Sequence, residues 1–228
     1  MEQEKIWDAF QNDEELLRLG FPERKRFEFL AKHIPSGAKA LNIGVGNGYL
    51  ESVLSEKGVD VSCLDPSDAA IEKIREKLNL EAKAQAGYSQ SIPFPDNSFD
   101  FVIMSEVLEH LGNEIIEKTL IEVKRVLKQG GAFIGTVPAD EDIKAGIVVC
   151  PKCGDKFHRW GHVQSFSQES LLNKLNYEFN NAIVRRVLLS DFKQLNWKGK
   201  LLNLVKQVQV VMNLKGSTQN FFFVARNK

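Results

Sequence analysis

Three stretches of this chain carry residues able to do chemistry. The first is LNIGVGNGYL at residues 41–50, with glycines at 44, 46 and 48. Glycines between a strand and a helix let the backbone turn sharply and let a ligand approach it closely. Asp65 follows Gly44 by 21 residues and ends an apolar run. An acidic side chain at that spacing is placed to accept hydrogen bonds from two ribose hydroxyls. Together these residues predict a nucleoside-containing cofactor. The second stretch is SEVLEHL at 105–111, where Glu106, Glu109 and His110 are candidate proton acceptors. Glu106 and His110 stand four apart and share a face if the segment is helical, with Val107, Leu108 and Leu111 on the other side. The competing reading has Glu109 and His110 capping or orienting the following turn. The third stretch is CPKCGDKFHRWGH, in which Cys150, Cys153, His158 and His162 fall within thirteen residues.

Two cysteines and two histidines suit tetrahedral zinc. C-x-x-C-G presents two thiolates on one tight turn, and histidines four apart can meet on one helical face. Four protein ligands leave no open position, so such a site would stiffen a lid. The alternative is a free thiol pair in a reducing compartment, with His162 facing an acceptor pocket. Phe157, Trp160 and Phe166 interleave with the cluster and either core a small lobe or line a pocket. Cys63 lies on an apolar strand and reads as a small hydrophobe.

The elements that position these residues alternate. Apolar runs at Ala40–Ile43, Val59–Leu64, Ala82–Ala86, Phe99–Met104 and Ala132–Val137 predict strands. Leu50, Val53 and Leu54, then Ile71, Ile74 and Leu78, then Ile116, Leu120, Val123 and Leu127, recur at helical spacing. Gly130-Gly131 is expected to close the last of these helices. Connections too long for hairpins imply a parallel sheet with helices on both faces, which binds ligands at the carboxyl ends of its strands. Beyond it, Ser167 reads as an N-cap, Ala182–Leu189 as a sixth strand and Asn220–Arg226 as a final one. Leu201, Leu204, Val205, Val208, Val211 and Met212 stripe a late helix. That stripe is expected to pack on the sheet and leave its lysines in water. An anionic membrane surface is the alternative. The head of the chain, to about Pro35, reads as helical, with Phe27, Leu30 and Ile34 on one face.

The glycine pattern separates two cofactor classes. A dinucleotide fingerprint needs a small third residue where Tyr49 stands, and the glycines here run G-x-G-x-G. At this point the sequence resembles the class I S-adenosylmethionine-dependent methyltransferases, in their small-molecule branch. The resemblance covers Gly37 to Val137, including SIPFPDNSFDFVIMSEVLEHL and LKQGGAFIGTVP, and the final strand fits the last strand of that fold. It implies a seven-stranded, doubly wound α/β sheet with the last strand antiparallel. It divides the chain into an N-terminal helical lid (1–36) and a methyltransferase domain (37–228) with a Cys/His insertion (139–166). It implies S-adenosylmethionine as cofactor, with Asn42, Gly44, Gly46 and Gly48 around the methionine moiety. Asp65, with Pro66, would hold the ribose, and Tyr88 and Ser89 would lie near the adenine. Ser105 and Glu106 would border the sulfonium and the acceptor. Asn42 stands where the family usually carries an acid, and Tyr88 where it usually has an acidic residue near the base. A cofactor-binding relative without turnover is therefore the alternative function.

Composition sets the outer bounds. The 228 residues are 43% hydrophobic and 26% charged, as in an ordinary globular chain. Thirty basic and thirty acidic side chains cancel, so no global field favours nucleic acid, and a small-molecule acceptor is expected. No apolar run is long enough to span a bilayer, and the acidic N-terminus does not read as a signal peptide. Three cysteines, two in one segment, suit a reducing, cytoplasmic setting.

Overall fold

A computed structural model describes residue 6 and residues 23–179, 181–192 and 195–227. Most of the expected N-terminal lid lies outside the described residues. In chain order the elements are α1 (Glu23–Lys32), β1 (Lys39–Ile43), α2 (Tyr49–Glu56), β2 (Asp60–Asp65), α3 (Asp68–Leu78), β3 (Ala84–Ala86), β4 (Phe99–Ser105), α4 (Asn113–Val126) and β5 (Leu127–Pro138). There follow β6 (Ile147–Val149), β7 (Lys156–His158), α5 (Gln168–Phe179), β8 (Ala182–Val187), α6 (Trp197–Val211) and β9 (Asn220–Arg226).

Seven strands form one sheet in the order β3-β2-β1-β4-β5-β9-β8. The first five are parallel, and β9 runs antiparallel to both its neighbours. Side chains alternate across each strand, so one sequence feeds two cores. Leu41, Val102, Met104, Phe133, Phe221 and Phe223 face α4 and α5. Ala40, Val61, Ile103, Ile134 and Phe222 face α1, α2 and α3. Phe27, Leu30 and Ile34 of the first helical segment are buried in that second core. At the sheet centre a Cβ on Gly135 would lie 1.9 Å from the Met104 carbonyl and 2.6 Å from the Phe223 ring. Only glycine lets β5 pass there.

Three expectations need correction. Gly130-Gly131 does not close α4. The helix stops at Val126 and β5 begins at Leu127, paired to Phe99. The Asn227 amide donates to the carbonyls of Lys124, Leu127 and Lys128, which the helix end leaves open. SEVLEHL is not an α-helix. It is the end of β4, Glu106 in the left-handed region at φ 56°, and a single 3-10 turn over Leu108–His110. Finally, α6 does not bury its stripe on the sheet. Leu201, Leu204, Val205, Val208, Val211 and Met212 are all exposed, and Asn203 is the buried residue of the helix.

The segment after β5 is pinned at both ends, where Ala139 bridges Phe166 and the Asp140 amide donates to the Phe166 carbonyl. Between them β6 and β7 form a short antiparallel hairpin. Among the described residues no helix is long and apolar enough to cross a membrane.

Candidate active site

The carboxyl ends of β1, β2 and β4 lie side by side, as the parallel register requires. Gly44, Gly46 and Gly48 all have positive φ (89°, 52° and 73°). A Cβ on Gly44 would come within 2.6 Å of the Val107 methyl, whereas one on Gly46 would meet nothing within 4 Å. Gly44 therefore lets the loop close against the end of β4, and Gly46 leaves a bare backbone face open to a ligand. Asp65 ties this loop to β2. One carboxylate oxygen accepts from the Val45 amide and the other from the Ser67 amide, both at 2.9 Å.

Beneath the loop, Asn42 and Glu51 form a buried pair. The Asn42 amide nitrogen donates to Glu51 Oε1 at 2.6 Å and to the Gly44 carbonyl at 3.2 Å. Burial pushes the Glu51 carboxyl up to about 7, against the opposing pull of the Asn42 hydrogen bond. Asn42 Oδ1 and Glu51 Oε2 are buried without a hydrogen-bond partner among the described residues. With Glu51 ionised, these are two unsatisfied acceptors below a glycine loop, and they fit a ligand that brings N–H donors. Glu51 thus returns, from the helix, the carboxyl that residue 42 lacks. The sequence reading passed over it. Its signal was an acid beside Leu50 on the face that also carries Leu54, where a carboxylate is out of place.

The other predicted cofactor residues divide by what their side chains already do. Ser89 Oγ bonds Thr119 Oγ1 at 2.8 Å, and Ser105 Oγ bonds Thr136 Oγ1 at 3.0 Å. Both hydroxyls hold elements together, which leaves their backbone for a ligand. Pro66 and Tyr88 are exposed at the same edge of the sheet.

At the end of β4 the chemistry is not the i,i+4 pair the helical reading implied. The Glu106 carboxylate accepts from Asn220 Nδ2, at 3.1 Å to each oxygen. His110 turns away, its Nδ1 lying 3.2 Å from the Gly161 carbonyl and its ring 4.7 Å from that of His162. Burial, with His162 and His158 adding to it, pushes the His110 imidazole down to about 3. It stays neutral at ordinary pH and is a poor proton acceptor. Glu109 is fully buried.

The expected Cys2His2 cluster does not assemble. His158 and His162 stack on each other, with ring centroids 4.6 Å apart, against Glu141. Cys150 and Cys153 sit on the turn at the far end of the hairpin. There the Gly154 amide donates to the Cys150 carbonyl at 2.9 Å and the Cys150 amide to the Asp155 carbonyl at 2.8 Å. The reason is the extended β7. Ile147 pairs with His158 and Val149 with Lys156, so the ladder puts roughly 10 Å between the thiols and the imidazoles. Glu141, in the acidic run ADEDI, could not be told from a solvated residue in the sequence.

Similarity to known proteins agrees with this geometry. The family model for a methyltransferase domain matches residues 41–135, from β1 into β5. The matched region is similar to a methyltransferase domain, and the seven-stranded topology has the fold of class I S-adenosylmethionine-dependent methyltransferases. An uncharacterized protein of Methanocaldococcus jannaschii is 38% identical over 112 residues, covering 49% of each chain. Sarcosine/dimethylglycine N-methyltransferase of Aphanothece halophytica is 32% identical over 117 residues, 49% of this chain and 42% of its own. Demethylmenaquinone methyltransferase of Symbiobacterium thermophilum is 29% identical over 140 residues, 58% and 55%. The chain therefore spans about half the length of the curated relatives it matches. Among solved structures, a chain from the complex of the Haloferax volcanii Trm112 methyltransferase activator with its partner superposes with TM-score 0.67, 18% identity and 97% coverage of both chains. A SAM-dependent methyltransferase from Aquifex aeolicus gives TM-score 0.58 at 20% identity, covering 99% and 98%. These two similarities concern the fold alone.

Proposed function

We propose that the protein transfers a methyl group from S-adenosylmethionine to a small-molecule acceptor. The observation that carries this reading is the buried Asn42–Glu51 pair under the glycine loop, with one bare acceptor oxygen on each residue. An ammonium group such as the cofactor's would satisfy both. S-adenosylmethionine supplies an activated sulfonium methyl, which needs only in-line approach and exclusion of water. The chain supplies the rest. Gly44, Gly46 and Gly48 shape the methionine side, with Pro66, Tyr88, Ser89 and Ser105 along the same edge. Asp65, held by two backbone amides, is fixed to accept from the ribose. Glu106 is the proton acceptor when the acceptor must lose a proton, held there by Asn220. Helix α1 packs on α2, where Arg24 stands over Tyr49 beside the glycine loop, and the head of the chain is read as a lid. The acceptor is read as small because the chain has no net charge.

Calorimetric titration with S-adenosylmethionine tests the reading. The wild type binds, and Asp65→Ala weakens binding by about 100-fold, the loss of two hydrogen bonds to a charged acceptor. No binding by folded wild type refutes it. Binding without consumption of any acceptor favours the non-catalytic alternative, and turnover only with a macromolecular acceptor overturns the substrate class.

One observation favours a second reading, a lipid-like acceptor met at an anionic membrane surface. The apolar stripe of α6 is exposed, and Trp197 to Lys215 carries Lys198, Lys200, Lys206 and Lys215 with no acidic residue. Co-sedimentation with vesicles containing anionic lipid, lost in Val205→Ser/Val208→Ser, supports it. Equal sedimentation with neutral vesicles, or none, sinks it.

A further inference from the structure

We propose that Glu109, His110 and His162 are the protein ligands of a divalent transition-metal ion, bound over the carboxyl end of β4. Their donor atoms all lie within 4.8 Å of one another. The case rests on where the protons and lone pairs must be.

A backbone carbonyl only accepts hydrogen bonds. His110 Nδ1, at 3.2 Å from the Gly161 carbonyl, therefore carries the ring proton, and Nε2 keeps its lone pair. His162 Nδ1 lies 2.5 Å from a Glu141 carboxylate oxygen, which again leaves Nε2 as the lone-pair nitrogen. Each imidazole thus has one nitrogen tied to an acceptor, which places the ring's lone pair on the other. That is how metal-binding histidines are held: a carbonyl or carboxylate on one side fixes the tautomer and aims the other nitrogen at the ion.

Glu109 completes the set. Its side chain is fully buried, and no other described residue donates to either carboxylate oxygen. A buried carboxylate with no donor is costly, and a cation removes that cost.

His158 is a positioning residue and not a ligand. Its Nδ1 accepts the amides of His162 at 3.1 Å and Trp160 at 3.4 Å, so its proton sits on Nε2. That nitrogen faces Glu141 at 3.6 Å. Gly146 makes room for it, since a Cβ there would lie 1.9 Å from the same atom. Two imidazoles and one carboxylate suit zinc, cobalt, iron or nickel, and suit magnesium or calcium poorly. Three protein ligands leave a further position for water or an acceptor heteroatom.

The test uses the whole chain, stripped with chelator and titrated with cobalt(II) chloride alone. The expected result is saturable visible d–d absorption with no thiolate charge-transfer band in the near ultraviolet, displaced by zinc. Glu109→Gln and His162→Ala abolish it. Glu141→Gln, which leaves all three ligands in place, weakens cobalt affinity about 10- to 100-fold. Cys150→Ser/Cys153→Ser leaves the spectrum unchanged. Circular dichroism verifies folding, and if His162→Ala is unfolded, Glu109→Gln and Glu141→Gln carry the test. No cobalt binding by wild type overturns the proposal, as does binding that survives Glu109→Gln. A thiolate band lost in the cysteine variant overturns it too, because the metal would then sit on the hairpin turn. S-adenosylmethionine binding is measured on the same samples, so failure here is distinguishable from failure of the methyl-transfer reading.

Discussion

Replacing Glu51 with glutamine tests the buried pair under the cofactor loop through stability alone. In the folded, ligand-free chain the Glu51 carboxyl holds its proton to about pH 7, against an ordinary 4.5. Burial is the main cause and the nearby Asp65 adds to it, while Asn42 and Lys77 act in the opposite direction. The folded state thus binds a proton more tightly than the unfolded state. The stability this gives is complete below about pH 4.5 and is lost as pH rises through 7. At about 1.4 kcal/mol per pH decade the loss is roughly 3 kcal/mol by pH 9. Glutamine has the same shape, accepts the same Asn42 hydrogen bond and does not titrate. Urea unfolding of wild type and Glu51→Gln, at half-unit steps from pH 5 to pH 9 and constant ionic strength, gives the difference in unfolding free energy. The variant should gain on wild type by roughly 2.5 kcal/mol across that range, with the steepest change between about pH 5 and 6.5 and a plateau above about pH 8. Other titrating groups cancel in the difference. Parallel profiles would refute the buried, protonated Glu51. A variant that loses ground as pH rises would show instead that the ionised carboxylate is paired.

Other substitutions probe the frame around the site. Gly44→Ala combines a left-handed φ with a methyl contact at 2.6 Å. It should cost about 1–3 kcal/mol in denaturant melts, and Val107→Ala in that background should recover only the steric part. Phe223→Ala empties a ring packed 4.9 Å from Phe133 and should cost about 3–5 kcal/mol by the same assay. Arg125 donates to the carbonyls of Ile92 and Phe94 and pairs with Asp96 and Glu122. Its replacement by alanine should cost about 1–3 kcal/mol and speed amide exchange across 92–98.

How much of this was legible follows from the physics of each segment. Asn220–Arg226 was placed to the residue because a β-branched and aromatic run in an interior strand has no competing pattern. The start of β5 was misplaced because Gly130-Gly131 is an equally good helix stop. Only the pairing of Leu127 with Phe99, and the Asn227 amide a hundred residues away, decides between them. For α6 the stripe was legible and its surroundings were not, since periodicity names an apolar face without saying what lies against it. Glu106 and His110 lie at and just after the end of β4, but the spacing rule that paired them assumes a helix. One left-handed residue at 106 removes that assumption.

The same left-handed residue decides how the proton and metal roles divide. A side chain cannot give one lone pair both to a metal ion and to a substrate proton. His110 has its Nδ1 committed to Gly161, so its remaining nitrogen serves one purpose, and its burial beside His162 favours the ion. Glu109 lies buried on the same side of the turn. Because the backbone swings at Glu106, that carboxylate is directed toward Asn220 on β9, apart from the histidines. An open cleft of about 580 Å³ is lined by residues 138–142 and 215–219, among them Glu141, the carboxylate that orients His162. SEVLEHL would then serve two functions from one strand end. Glu106→Gln should accordingly depress turnover while leaving the cobalt spectrum intact, and Glu109→Gln should erase the spectrum. Loss of both signals in either single variant would mean that the two sites are one.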